Sequence, residues 1–122
     1  MDLLTEISAI LVETLDLEEK EITGESRLRK DLDIESIDML ELALSFSSRF
    51  GIEVEEDEIF LQKVPLLIAE AEQEGREAAA VLADRFPFLA GERIREILSG
   101  GQADPKVQDL VDYIAWRLSR AS

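Results

Sequence analysis

The sequence predicts an all-α protein, on three observations. Glycine and proline are scarce, six and three in 122 residues, and Leu, Ala, Glu, Ile and Asp dominate, a composition that favours helices. Apolar residues recur at the helical period near both ends of the chain and again in its first half. Helix punctuation falls where those stretches need it, at Gly51 and at Asp104-Pro105. A chain of this length fits one domain and can bury roughly two thirds of its unfolded surface.

Leu4, Ile7, Leu11 and Leu15, with Leu3 and Ile10 beside them, predict a first helix over residues 2–15. Residues 16–35 read as a long connection. Its scattered Ile22, Leu28, Leu32 and Ile34 predict a loop pinned to a core. The second helix is predicted over 36–50, with Met39, Leu40, Ala43, Leu44, Phe46 and Phe50 on one side. Asp38, Glu41, Ser45, Ser48 and Arg49 fall on the other side, and Gly51 supplies a left-handed stop. "IEVEEDEIFLQ" reads as a short extended piece and a short helix. The last helix should start at Pro105 with Asp104 as its N-cap. Its inner stripe is Val107, Leu110, Val111, Ile114 and Leu118, which leaves Trp116 nearly opposite, exposed or packed on something beyond the bundle.

Residues 63–104 differ in kind. "VPLLIAEAEQEGREAAAVLADRF" is alanine-rich and helix-prone, and "PFLAGERIREIL" suggests a further short helix ended by Gly100 and Gly101. This segment holds 8 acidic and 5 basic residues, a net −3, within a chain of net charge −15. The remaining −12 lies around it, which argues against a uniform solubilising coat. Such a field repels nucleic acid and anionic membranes, and it speeds encounter with basic partners.

There is no cysteine and no histidine. Disulfides, thiol nucleophiles, ordinary zinc sites and the commonest general base are therefore excluded. Catalysis is not expected, and thiol chemistry would need an imported thiol. "MDLLTEISAILVETL" has acids and no basic leader, so no signal peptide is expected there. No apolar run approaches a membrane span, and a cytoplasmic protein is expected.

Ser36 raises the functional question. As an N-cap it would stabilise its helix by roughly 0.5–2 kcal/mol. Asp31, Asp33 and Glu35 alternate as the first ligands of a calcium loop do, but the positions needing glycine and glutamate hold Ser36 and Leu42. A serine hydrolase lacks both the histidine and the G-x-S-x-G turn.

"DLDIESIDMLELALSFSSRFGIEV" resembles the central segment of acyl carrier proteins, whose hallmark is Asp-Ser-Leu at the start of the second helix. "FGIEVEEDEI" and "KVQDLVDYI" resemble the segments that follow in that family. The resemblance covers about 80 residues in order, and implies an acyl-carrier-protein-like helical bundle. It implies that Ser36 takes 4′-phosphopantetheine from coenzyme A through a phosphopantetheinyl transferase. The arm's thiol would then hold acyl groups as thioesters, which suits a chain without cysteine. It further implies that Asp31, Asp33, Glu35, Asp38 and Glu41 dock on basic patches of acyl-loading and acyl-transferring enzymes. Exposed pairs contribute at most about 1 kcal/mol each, so several together steer and orient while allowing release. The bundle interior could shelter an acyl chain at about 0.8 kcal/mol per methylene. A monomer without membrane insertion is expected.

Three departures stand out. The triplet is Glu35-Ser36-Ile37; the end of the second helix is "SSRF" where the family stays acidic; and the last helix arrives 56 residues after Gly51, where the family needs about 15. Residues 1–62 and 105–122 are therefore expected to form the carrier bundle, with 63–104 an inserted helical hairpin in one compact unit. The insertion's apolar residues could enlarge the acyl cavity, form a docking face or close on themselves. A dedicated fatty-acid, lipid or polyketide-type pathway is expected. The rival readings are an unmodified interaction module and a carrier of aminoacyl or peptidyl groups.

Overall fold

The structure is a computed structural model that describes residues 2–17, 22–100 and 104–121. Those residues hold α1 (Leu3–Leu15), α2 (Ser36–Phe50), α3 (Glu56–Ile59), α4 (Val64–Gln73), α5 (Ala78–Arg85), α6 (Gly91–Gly100) and α7 (Val107–Ala121). Among them, the one extended pairing is an antiparallel bridge between Arg27 and Lys106.

α1 starts where the Asp2 carboxylate accepts from the Leu4 amide at 3.2 Å and the Thr5 hydroxyl at 2.8 Å. It packs against both α2 and α7, while α3 bridges those two helices. Ile7, Ile10 and Leu11 meet Met39, Leu42 and Phe46 of α2, together with Val107, Leu110, Tyr113 and Ile114 of α7, in one buried cluster. The predicted pinning of the long connection holds for its described part, since Leu28 and Ile34 are buried in this cluster and Ile22 and Leu32 pack on it. Gly51 ends α2 as expected, at φ 66°, with its N–H on the Ser47 carbonyl at 3.0 Å.

Two expectations about α2 and α7 are corrected. Leu40 and Leu44, placed with the inner side of α2, are 52% and 65% exposed, and Leu42 is buried instead. The inner face runs 39, 42, 43, 46, an i, i+3, i+4, i+7 stripe, and the neighbouring stripe of Ile37, Leu40 and Leu44 turns outward. α7 begins two residues later than predicted, at Val107. Asp109, at its third position, accepts from the Lys106 amide at 2.9 Å and takes the capping duty assigned to Asp104. The buried Tyr113 ring was absent from the predicted stripe. Its hydroxyl accepts from the Glu55 amide at 3.2 Å and Arg117 Nη1 at 2.8 Å, and donates to Glu58 Oε1 at 3.3 Å. Burial pushes that hydroxyl's pKa above 10.0.

The helix-prone run after residue 63 forms α4 and α5, and α6 is the further helix read from "PFLAGERIREIL". Gly101, predicted to help end α6, lies outside the described residues. Leu61, Val64, Leu67, Val81, Leu82, Phe86, Ile94 and Ile97 are buried together in a second cluster. Most of the apolar residues of 63–104 close on one another, while Leu66 is 54% exposed. Leu61 makes the turn into this cluster at φ 54°, a left-handed conformation that costs an L-residue about 1–2 kcal/mol and is held by its 1% exposure.

Phe88 joins the two clusters. Its ring meets Tyr113 edge-on at 5.2 Å and lies 5.8 Å from Trp116, which gives that tryptophan the contact beyond the bundle that its position requires. Phe88→Ala should lower stability by about 3 kcal/mol, near the low end for a phenylalanine because Phe88 is half-buried. Trp116 is the sole tryptophan, so its emission should shift to the red in the variant; urea melts followed by fluorescence check both effects, and unchanged emission would contradict the packing.

Candidate functional site

Ser36 is exposed and is the first residue of α2. The expected N-cap role is therefore corrected: Glu35 is the N-cap, at φ −99° and ψ 169°. Asp38, at the third helical position, returns a bond to the Glu35 amide at 2.9 Å, half of a capping box that leaves the serine free of capping duty. Among the described residues, the Ser36 hydroxyl has no hydrogen-bond partner, and the Ser36 and Ile37 amides donate to none. An exposed, unspent hydroxyl thus sits beside unpaired N–H groups at the positive end of a 15-residue helix, where a phosphodiester is favoured. The residues fit a phosphopantetheine arm.

The loop before the serine is stitched to the chain that returns from the insertion. Leu28 N–H donates to the Pro105 carbonyl, Val107 N–H to the Ser26 carbonyl and Gln108 N–H to the Gly24 carbonyl, each at 2.9 Å. Asp104, freed from capping α7, accepts from the Arg29 and Lys30 amides at 3.0 and 3.1 Å. Within the loop, Ile34 N–H closes on the Leu28 carbonyl at 2.8 Å. Asp33 takes φ 53°, a left-handed position that aspartate tolerates better than most residues.

The five acidic residues assigned to docking are not equivalent. The Asp31 carboxylate accepts from the Arg27 amide at 2.8 Å, and Asp38 caps α2. Glu35 is the N-cap itself. Asp33 and Glu41 are exposed, and their carboxylates meet no hydrogen-bond or ion-pair partner among the described residues. Among those residues the carboxylates do not converge as a metal-binding group.

Sequence reasoning missed the apolar half of this surface. Ile37, Leu40 and Leu44 are 68%, 52% and 65% exposed and run down α2 from the serine, beside the acids. A groove between α1 and α2, lined by Ile10, Glu13, Leu44 and Arg49 among others, continues the stripe. At its far end Arg49 reaches Glu6 at 3.6 Å, so positive charge stands at the end of the helix opposite Asp38. The i, i+3, i+7 spacing of Ile37, Leu40 and Leu44 was visible. It could not be separated from the inner stripe without knowing which face the other helices cover.

The geometry defines a small helical bundle that presents a free serine hydroxyl at a helix start, next to an acidic and apolar face. The family described as a phosphopantetheine attachment site matches residues 5–71, more than half of the chain. An acyl carrier protein of Petrotoga mobilis is 33% identical over 58 residues, covering 48% of this chain and 68% of the relative. The meromycolate extension acyl carrier protein of Mycolicibacterium aurum is 28% identical over 89 residues, covering 70% of this chain and 92% of the relative. An acyl carrier protein of Coprothermobacter proteolyticus is 43% identical over 54 residues, 44% of this chain and 66% of the relative. No solved structure matches. The chain belongs to the acyl carrier protein family, non-catalytic carriers that bear 4′-phosphopantetheine and work with synthases and transferases. The matched residues run from α1 into α4, whereas the helix that closes the bundle on α1 is α7, beyond them. No helix among the described residues is long and apolar enough to cross a membrane.

A buried lysine paired with two exposed carboxylates secures the stitched loop. Lys106 Nζ lies 2.8 Å from Glu25 Oε1 and 3.3 Å from Glu96 Oε2, with only 8% of the lysine side chain exposed. The lysine's hydrogen bond and charge hold the Glu25 carboxyl below its ordinary 4.5, and the bond to Glu25 raises Lys106 above 10.5. A lowered carboxylate stabilises the fold above its unfolded pKa and loses that contribution as pH falls through the folded one. A raised lysine does so below 10.5 and loses it as pH rises further. Glu25→Gln should therefore be less stable than wild type at neutral pH. The two urea midpoints should converge as pH falls below 4.5, and a constant gap would contradict the pairing.

Proposed function

We propose that Ser36 is the residue that receives 4′-phosphopantetheine from coenzyme A, and that this carrier serves a dedicated fatty-acid, lipid or polyketide-type pathway. The carrying observation is the Ser36 hydroxyl itself, exposed and unpartnered among the described residues at the first position of α2. When attached, the arm supplies the thiol that the chain lacks, and the thiol holds acyl groups as thioesters. Asp31, Asp33, Glu35, Asp38 and Glu41 form the electrostatic rim on which basic patches of transferases and acyl-handling enzymes dock. Ile37, Leu40 and Leu44 give those partners an apolar strip to cover. Similarity over 70% of the chain to a carrier named for meromycolate extension, together with the added helices, supports lipid cargo and a specialised partner set. Arg49 and the neighbouring Ser47 and Ser48 remove the acidity that a general partner would meet at the end of α2.

Incubation with coenzyme A and a broad-specificity phosphopantetheinyl transferase, followed by intact mass, tests the attachment. Wild type should gain one phosphopantetheine and Ser36→Ala none. Equal gain by both, or gain by neither, refutes the assignment. Asp33→Asn combined with Glu41→Gln tests docking without undoing a cap or a turn bond. The pair should raise the transferase KM several-fold at low salt, and the gap should close toward about 1 M salt, where the screening length falls to about 3 Å. Wild-type kinetics in the double variant would remove the electrostatic role.

A further inference from the structure

The inserted helices grip the loop that leads to Ser36, and the grip nearest the serine runs through one arginine. Arg93 of α6 is 13% exposed at its side chain and clasps the Asp109 carboxylate with Nε and Nη2, at 2.8–3.1 Å. The same Nη2 donates to the backbone carbonyl of Asp104 at 3.0 Å. The carboxylate of that same Asp104 holds the Arg29 and Lys30 amides. From Arg29 onward the loop is closed by its own bonds, Asp33 N–H to the Arg29 carbonyl at 3.2 Å and Ile34 N–H to the Leu28 carbonyl at 2.8 Å. Two residues later comes the serine. Glu96, one turn from Arg93, grips the loop's earlier part, because it shares Lys106 with Glu25.

A brace whose only task was to hold two apolar clusters together would not need this route. Phe88 already joins the clusters by ring contacts, and Asp109 alone suffices to cap α7. Arg93 also donates from Nη2 to Asp104, a residue whose two ends face opposite ways, carbonyl toward the insertion and carboxylate toward the serine's loop. A planar guanidinium with fixed donors fixes direction as well as distance. We propose that Arg93 is a positioning residue for Ser36, acting through Asp104, so that the inserted helices set how the serine and its acidic rim are presented to partner enzymes. This inference rests on the reading of Ser36 as the attachment point.

Arg93→Ala leaves the Asp109 carboxylate buried without its main partner and could unfold the junction. Asp104→Ala is the second variant: it removes the two bonds to the loop and keeps the backbone carbonyl that Arg93 uses. Arg85→Ala, on the exposed end of α5, is the control within the insertion. Two readouts are taken on the full chain, amide exchange over residues 26–34 and transferase kinetics by intact mass. Both Arg93→Ala and Asp104→Ala should speed exchange in that loop and raise KM several-fold at unchanged kcat, and Arg93→Lys should recover only part of the loss. Arg85→Ala should match wild type. A variant that melts earlier while loop exchange and KM stay at wild-type values makes Arg93 a structural brace and overturns the proposal. So does an effect confined to Arg93→Ala with Asp104→Ala silent. If Arg93→Ala does not fold, Asp104→Ala decides. Failure of wild type to take up phosphopantetheine removes the Ser36 reading instead, and the exchange data then judge the Arg93–Asp104 route on their own.

Discussion

The buried carboxylate of Asp109 is the constraint on which the rest of the molecule depends. It is 1% exposed, and a charge so placed is tolerated only when it is paired and hydrogen-bonded. Its partners come from two directions, and one of them leads on to a third group. The Arg93 guanidinium arrives from the insertion, the Lys106 amide from the start of α7, and through Arg93 the carboxylate is linked to the Asp104 carbonyl. One group thus starts the closing helix of the bundle, seats α6 against it and fixes the strand of chain that stitches to the serine's loop. Removing one partner from such a pair costs about 3–5 kcal/mol because the remaining charge stays buried, which makes this a point of high consequence in a small protein.

α2 shows how one helix serves core and surface together. Met39, Leu42, Ala43 and Phe46 face inward, and Ile37, Leu40 and Leu44 face out. The outward stripe has no internal partner and begins beside the hydroxyl that marks the site. Its acidic neighbours divide by duty. Asp31 and Asp38 spend their carboxylates on backbone amides, so their charge is fixed in direction, whereas Asp33 and Glu41 are uncommitted among the described residues. In the docking role proposed for it, a surface of this make-up would bind by many weak contacts and release readily.

Much of the fold and the site was legible in the sequence because both rest on local chemistry. Periodicity located α1, α2 and the short helix after Gly51, and the helix-prone run after residue 63 foretold added helices. The resemblance of the segment around Ser36 to a family implied the attachment residue that we propose. What failed was assignment that needed a neighbour. Asp104-Pro105 has the composition of a helix start, yet a carboxylate caps whichever amides tertiary packing brings near it, and these were Arg29 and Lys30. Leu40 and Leu44 share the helical period with the core, and only the positions of α1 and α7 decide which stripe is covered. Tyr113 lies outside the stripe predicted for α7, and Glu55, Glu58 and Arg117 supply the partners that let it be buried.

By itself the sequence determined that the chain is helical and that charge gathers around Ser36, properties that follow from residue type and spacing within one or two turns of chain. The borrowed thiol was implied by the resemblance of the segment around Ser36 to acyl carrier proteins, in a chain without cysteine. The tertiary structure alone decided that the insertion closes on its own core, that Phe88 and Arg93 fasten it to the bundle, and that the return strand ties it to the serine's loop. These are contacts between residues up to 84 positions apart, Gly24 to Gln108, chosen by which surfaces remain to be covered once the helices have formed, and no local pattern encodes that choice.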